Sequence, residues 1–369
     1  MFTVDQIADL IASTVKRLPP MQFSQIAQNI RDYHVYPTLF KNRGGKEMET
    51  RTGSGTCIPF TVLTKTAGSA KNVGIYDTDT ANVTDGLVEG EVPWRYSNFN
   101  YFFNQHEFEQ NSGAKQLFNL IKTRREQALL DFADLLEGNY FGKPTDSTDK
   151  KTPWGLFYWL VKSTATTSAT SGCGFNGGTP DGFSDVGGIN PSTHTSWKNY
   201  VSPYYSVKDW DNSGSTVKGD FVNKLKRCIH YTNWISPLGG EEMGKSFGKT
   251  FKLLTNFAVV SDIEEMLEDK NDLTFGADAG KLYGVTHFKG FPFYAIDALD
   301  SDTSNPLYGV NTSTFELVFE PGFKMRENKP TQAPNQHLVL VTQVDCGYNW
   351  VCYDRRRNFV MNKVSTYAA

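Results

Sequence analysis

The hydrophobic pattern changes period several times along the chain, and each change predicts an element. At 4–16, Val4, Ile7, Leu10, Ile11 and Val15 recur at helical spacing. Thr3 and Gln6 form a capping box and Pro19-Pro20 ends the run, so a short amphipathic helix is predicted. A second short helix is predicted at 24–33. Ile58, Phe60 and Val62 then alternate with Pro59, Thr61 and Leu63, the two-residue period of a strand. Residues 66–92 are small, polar and Gly-rich, as in an exposed loop or hairpin tip. Residues 94–108 are aromatic and strand-like. Residues 45–108 are thus expected to make one long hairpin-like excursion with little core of its own.

The clearest helix follows, from Gly113 to Glu137, with Leu117, Leu120, Ile121, Ala128, Phe132 and Leu135 in helical period. Asn111 or Ser112 caps it and Gly138 is the expected stop. At 1.5 Å per residue it should run about 37 Å. Residues 165–215 are rich in Gly, Ser, Thr and Asn but hold Trp197, Tyr200, Tyr204, Tyr205 and Trp210. That is too aromatic for a flexible linker and predicts a long ordered loop. A helix is predicted at 217–231 from Val217, Phe221, Leu225 and Ile229. A strand at 253–260 should lead into a helix at 262–269, opened by a Ser261/Glu264 box. Strands are predicted at 291–297, 307–310 and 315–319. A closing meander is predicted at 337–344, 348–353 and 359–364, turning at Cys346-Gly347 and Arg356-Arg357.

Composition narrows the function classes. The 369 residues are 39% hydrophobic and 14% aromatic, and 37 basic against 40 acidic side chains leave a net charge of −3. That apolar content excludes a disordered chain. The charge balance argues against a tight nucleic-acid binder, which needs a basic face. Five cysteines without a CxxC pair read as free thiols of a reducing compartment. No stretch approaches the ~20 apolar residues of a membrane span, and the N-terminus lacks a secretory pattern.

The motif search yields no catalytic constellation. Gly239, Gly244, Lys245 and Ser246 satisfy the phosphate-loop spacing GxxxxGK[ST]. That chemistry needs a strand before the loop and a helix after it. Here a helix and Ser236-Pro237 precede it, Gly248 occupies the first turn, and Glu241 and Glu242 repel phosphate. A surface loop is the expectation. The GxSxG match at 244–248 fails for the same reason, and the GxGxxG match at 172–177 follows a Ser/Thr tract rather than a strand. The six histidines are scattered. The pairs Asp77/Asp79, Asp209/Asp211 and Asp300/Asp302 suit polar turns better than calcium. Arg355-Arg356-Arg357 could touch nucleic acid but is expected to be a solvated turn or subunit contact. No catalytic, cofactor-binding or metal-binding residue is therefore named, no cofactor is expected, and a structural or assembly protein is.

The order of elements (short arm, extended hairpin, one long helix, mixed α/β region, closing meander) resembles the major capsid protein of tailed bacteriophages, whose Johnson fold is shared with the herpesvirus shell. Local phrases agree: Gly187-Gly-Ile-Asn-Pro-Ser before Trp197-Lys-Asn, Phe291-Pro-Phe-Tyr-Ala-Ile-Asp297, Leu307-Tyr-Gly-Val-Asn311, and Asn349-Trp-Val-Cys-Tyr-Asp-Arg-Arg-Arg357. The resemblance spans essentially the whole chain and implies an α+β fold. It implies an N-terminal arm (1–44), an extended loop overlapping a neighbouring subunit (45–110), a peripheral domain with a spine helix (111–154), a mainly axial domain (155–335) and C-terminal strands returning to the peripheral domain (336–369).

The function implied is self-assembly into hexamers and pentamers of an icosahedral head enclosing double-stranded DNA, without enzymatic activity. Its partners would be itself, portal, scaffolding and decoration proteins, and packaged DNA held by weak nonspecific contact, with no membrane. Its place would be the virion, and the host cytoplasm during assembly. The short arm favours a separate scaffolding protein and an uncut chain. Trp94, Tyr96, Phe99, Tyr101 and Phe103 are the expected subunit-interface residues, because an isolated hairpin is marginal in water. The alternatives are a tail or decoration protein, a β-rich glycan-binding protein using the aromatics of 190–210, and a nucleotide hydrolase using Lys245 and Ser246.

Overall fold

Two sheets, one projecting hairpin and one long helix organise the chain. The structure is a computed structural model that describes residue 35 and residues 49–53, 55–68, 70–75, 85–110, 114–207, 220–233, 251–268 and 287–366. The helices predicted at 4–16 and 24–33, the phosphate-loop and GxSxG matches, Trp210 and the pairs Asp77/Asp79 and Asp209/Asp211 lie outside the described residues.

The first half of the chain holds strands β1 (Glu49–Thr52), β2 (Cys57–Leu63), β3 (Leu87–Pro93) and β4 (Arg95–Asn104), then helices α1 (Gln105–Gln110), α2 (Ala114–Tyr140) and α3 (Leu156–Trp159). Next come β5 (Gly174–Gly177), β6 (Asn199–Tyr204), α4 (Asp220–Thr232), β7 (Phe251–Thr255) and α5 (Phe257–Glu268). The remainder is β-rich: β8 (His287–Phe288), β9 (Phe291–Ala295), β10 (Leu307–Asn311), β11 (Phe315–Phe319), β12 (Arg326–Glu327), β13 (Thr331–Ala333), β14 (Gln336–Cys352) and β15 (Phe359–Lys363).

A six-stranded sheet is built on β14, a strand of 17 residues. Antiparallel β4 runs along it from Val339↔Asn104 to Tyr348↔Arg95, and β11 pairs from Phe315↔Cys352 to Phe319↔Tyr348. Parallel β1 extends β11, while β12 and β13 pair with β14 towards its start. Helix α2 lies against β4, with the Phe132 ring stacked on Phe99 at 4.8 Å. The second sheet has seven strands in the order β5-β6-β15-β10-β7-β9-β8 and carries α4 against β6. The chain passes between the sheets twice near its end, from β10 to β11 and from β14 to β15. The expected 155–335 block therefore includes three strands of the six-stranded sheet, β11, β12 and β13. The C-terminal strands divide, β14 to the six-stranded sheet and β15 to the other.

Several predicted boundaries move, each for a local reason. The turn expected at Cys346-Gly347 is absent, and β14 runs straight through it. Gly347 marks a close approach: a Cβ there would lie 2.9 Å from the Glu320 carboxylate and 3.0 Å from the Tyr96 ring. Part of the loop expected over 165–215 is strand β6, buried at all six positions between β5 and β15, so it shows no alternation. The strand expected at 253–260 stops at Thr255, where the Asn256 side chain caps α5 by accepting from the Val259 N–H at 3.1 Å. Helix α2 continues through Gly138, where a side chain would meet open space, to Tyr140. Its buried face is Ile121, Ala128, Phe132, Leu136 and Tyr140, and Leu135 points outward.

That inward stripe gives a direct test. Phe132→Ala should cost about 3–5 kcal/mol in chemical denaturation, because it empties the space between α2 and β4. Leu135→Ala should stay within about 0.5 kcal/mol. Equal losses would contradict the observed helix orientation.

Candidate assembly surface

Strands β2 and β3 form a two-stranded hairpin outside both sheets, in register from Cys57↔Pro93 to Leu63↔Leu87. Thr64 adds a rung, its N–H donating to the Gly86 carbonyl at 2.8 Å. The hairpin divides into two halves. Near its base, Ile58, Phe60 and Val92 are buried in the chain's own core. The Phe60 ring lies 6.1 Å from Trp159, 5.9 Å from Trp197 and 6.2 Å from Tyr353. The Glu91 N–H donates to the Gly187 carbonyl at 3.0 Å, and Gly90 is required there, since a Cβ would sit 2.6 Å from the same carbonyl. Trp94 Nε1 donates to the Gly55 carbonyl at 2.8 Å. The expectation of a hairpin without a core of its own is thus corrected for the base: an aromatic platform from 154–197 holds it.

Beyond the base the apolar contact ends. Leu63 and Leu87, directly opposite each other across the ladder, are 66% and 61% exposed, and Ile75 and Val73 in the connecting segment are exposed as well, Ile75 at 96%. Four apolar side chains at the distal end therefore meet solvent in the isolated chain. Single exposed apolar residues are ordinary; four on one element make the distal end the candidate contact surface.

The five aromatics expected at the interface are placed differently. They stand on or beside β4, which is paired in register with β14 rather than with β2. Phe99, Tyr101 and Phe103 share its inner face and are buried, as is Trp94. Phe99 stacks on Phe132, and the Tyr101 hydroxyl donates to Glu327 Oε1. Burial, together with that carboxylate, raises the Tyr101 pKa, so the phenol stays protonated. Those four side chains hold the subunit's own core. Tyr96 is 59% exposed on the outer face, edge-on to Phe323 at 5.9 Å. Phe102 shares that face at 55% exposure, with the Arg124 guanidinium 6.0 Å from its ring centre. The strict alternation of 96, 98, 100 and 102 was the available signal for Phe102. Leu63 and Leu87 carried none beyond their distance from the hairpin base.

The outer edge of β4 pairs with no other described strand. Arg124 caps part of it, its Nη1 donating to the Phe102 carbonyl at 2.7 Å while its Nη2 is held by Glu107 at 2.6 Å. Between this edge and α2 runs an open groove of about 360 Å³ lined by Asn100, Tyr101, Phe102, Arg124, Gln127, Ala128 and Asp131.

The arginine triplet is not a solvated turn. Arg355 is fully buried, and its Nε, Nη1 and Nη2 donate to the carbonyls of Trp159 (2.7 Å), Trp197 (2.8 Å) and Gly178 (2.9 Å), with Asn199 Oδ1 at 3.1 Å. Burial lowers its pKa to about 10, which leaves it cationic at neutral pH. Arg357 is buried against Asp354 at 3.2 Å, and Arg356 alone is exposed. The remaining candidates are structural too. Gly174–Gly177 of the GxGxxG match is the edge strand β5, with no helix after it. Trp197, Tyr200 and Tyr204 are buried, so they offer no sugar platform. Asp300 Oδ1 accepts from the Phe257 N–H and Asp302 from Ser304, as turn carboxylates do. Among the described residues no three His, Cys, Asp or Glu side chains converge as a metal site, and no helix is long and apolar enough to cross a membrane.

Neither a protein-family model nor a curated protein sequence matches the chain. Solved structures do. The capsid asymmetric unit of cyanophage A-1(L) superposes with a TM-score of 0.56 at 13% identity, over 95% of this chain and 98% of that one. The capsid of the native GTA particle gives 0.54 at 8% identity over 94% and 95%. The capsid of Myoviridae phage XM1 gives 0.51 at 10% identity over 95% and 98%. At such identities the likeness is one of fold. Over that coverage the chain has the α+β fold of phage capsid proteins.

Arg355 provides the test of this site's framework. Arg355→Met leaves buried carbonyls unpaired and should cost about 3–5 kcal/mol in urea unfolding. Arg356→Met should stay within about 0.5 kcal/mol. Similar values for the two would show that the buried contacts do not hold the platform.

Proposed function

We propose that this chain is the shell subunit of a tailed-phage head, a structural protein without catalysis that self-assembles into hexamers and pentamers closing an icosahedral shell around double-stranded DNA. The observation that carries this is the divided hairpin. In a chain whose fold matches capsid structures over most of its length, β2–β3 is anchored at its base and uncovered at its distal end. Leu63, Val73, Ile75 and Leu87 need a surface that their own chain does not provide. A neighbouring copy offers one in the outer face of β4, where Tyr96 and Phe102 are exposed beside the α2 groove. Of the five aromatics named from the sequence, Tyr96 is the one proposed to touch a neighbour directly, and the other four shape the sheet beneath it.

On this reading residues 1–44 are the arm, the hairpin is the extended loop, the six-stranded sheet with α2 is the peripheral domain, and the seven-stranded sheet is the axial domain. The protein works in the virion and assembles in the host cytoplasm with portal, scaffolding and decoration proteins. Each distal leucine buried against a neighbour would contribute roughly 1.5–3 kcal/mol, repeated at every contact of the shell.

The test is electron microscopy of the purified chain under assembly conditions, with Leu63→Ser/Leu87→Ser beside it. Wild type should give closed shells. The double variant should melt as wild type does, both side chains being exposed, yet sediment as subunits or capsomers. Normal shells from the variant would remove the hairpin from the assembly mechanism, and a wild-type chain that forms no closed particle would overturn the reading.

A further inference from the structure

The near-neutral net charge conceals a basic face. Helix α4 has a single acid, Asp220, and that carboxylate is buried against Lys224 Nζ at 2.8 Å. The solvent side of the helix is Asn223, Lys226, Arg227, His230 and Tyr231, without a carboxylate. Beside it lies a row of rings: Tyr231 stacks on Tyr200 (5.6 Å, 13° between planes), and Tyr200 meets Phe175 of β5 at 5.2 Å. An arginine stands at each end of the row. Arg227 lies 5.6 Å from the Tyr231 ring centre, and Arg356 lies 4.4 Å from that of Phe175.

Among the described residues Lys226, Arg227 and Arg356 form no ion pair. The groups that influence Arg227 are the Tyr200 and Tyr231 phenols and the Cys173 thiol. The acid near Arg356 is Asp354, which is held by Arg357 at 3.2 Å and accepts from the Arg356 backbone N–H. A guanidinium resting on a ring keeps its N–H edge free and pre-oriented, the arrangement that suits phosphate oxygens. The cations extend over a helix face and an adjoining turn, not around a groove with sockets for side chains. That shape fits a continuous line of negative charge.

We propose that this face, Lys226, Arg227 and Arg356 with His230 and Tyr231 between them, binds the phosphate backbone of duplex DNA without reading its sequence. The proposal rests on the shell reading above and adds the residues that meet the packaged genome. Contact through three cations predicts weak, salt-sensitive binding. At roughly 0.9 in the log–log slope per phosphate, affinity should fall about 40-fold between 50 and 200 mM salt.

The test is fluorescence anisotropy of the full chain with a duplex of about 30 base pairs across that salt range. Lys226→Gln/Arg227→Gln/Arg356→Gln should shrink the salt-dependent loss to a few-fold and weaken binding at low salt, with melting unchanged. Lys150→Gln/Lys151→Gln, on an exposed loop elsewhere, should bind as wild type. Equal binding and slope in the triple variant, or an equal loss in the Lys150/Lys151 control, would overturn the proposal. So would polyglutamate binding that depends on the triplet and is tighter than duplex binding, because the face would then serve an acidic protein segment. Shell formation is scored on the same samples by microscopy. Shells from wild type with no role for the triplet leave the shell reading standing and this proposal refuted. Triplet-dependent binding without shells refutes the shell reading alone.

Discussion

The Arg355 guanidinium reaches three carbonyls on three separate segments, those of Trp159, Trp197 and Gly178. It stands in the short turn between β14 and β15, where the chain leaves one sheet and enters the other. None of the three carbonyls belongs to a strand ladder, and leaving the buried ones unpaired would be costly. Asn199 completes the junction: its amide donates to the Val161 carbonyl at 2.9 Å while its Oδ1 accepts from both the Val161 N–H and Arg355. A single planar cation with diverging donors satisfies several backbone groups at once, which a lysine would do less well. The two indoles it fixes through their backbones, Trp159 and Trp197, are the ones on which Phe60 rests. Both sheets and the hairpin base therefore share one buried polar junction.

The rigidity of that junction gives the hairpin its use. A two-stranded ribbon free at both ends is marginal in water and would sample many directions. Clamped at Phe60, Val92 and the Glu91–Gly187 hydrogen bond, it presents Leu63 and Leu87 at a defined place. Much of the chain's aromatic surface packs inward, in the Phe99–Phe132 stack and the Trp154, Tyr158 and Trp159 cluster. Among the described residues, the large apolar side chains left outside include Leu63, Val73, Ile75 and Leu87 on the hairpin and Tyr96 and Phe102 on the outer face of β4. Small uncovered apolar patches invite less nonspecific association than a row of five exposed aromatics would.

The sequence revealed elements whose stability is local and obscured those fixed by distant partners. Strand β2, helix α2, helix α4 and β11 follow from periodicity and caps, and each was found within a few residues. The fold family emerged from their order. Strand β4 misled because its aromatics look like the second arm of a hairpin, whereas its partner β14 lies some 250 positions away; Ser97 and Tyr348, bonded through their hydroxyls, are 251 apart. Gly347 reads as a turn locally and is a strand residue because two neighbouring side chains crowd it. Strand β6, buried on both faces, loses the alternation that would have betrayed it inside a Ser- and Gly-rich tract. Arg355 and Arg356 are adjacent and alike in sequence, yet one is the most enclosed cation of the described chain and the other lies on the surface. Only the three-dimensional placement of carbonyls separates them.

Charge is arranged as unevenly as hydrophobicity. Exposed apolar residues stand on the hairpin and the outer face of β4, and the unpaired cations on α4 and the turn before β15, where the half-exposed Tyr231 ring lies among them. A chain with a net charge of −3 cannot hold nucleic acid by its overall field. It can do so locally where acids are withdrawn, as Asp220 is by Lys224 and Asp354 by Arg357. Neutralising those acids leaves Lys226, Arg227 and Arg356 as uncompensated charge, while Lys224 also donates to the Ser168 and Pro203 carbonyls and so ties α4 to the segments beside it. The ion pairs that stabilise the subunit thus also set the sign of its surface. Three such cations on one face attract a polyanion weakly, through contacts that exchange readily and weaken with salt.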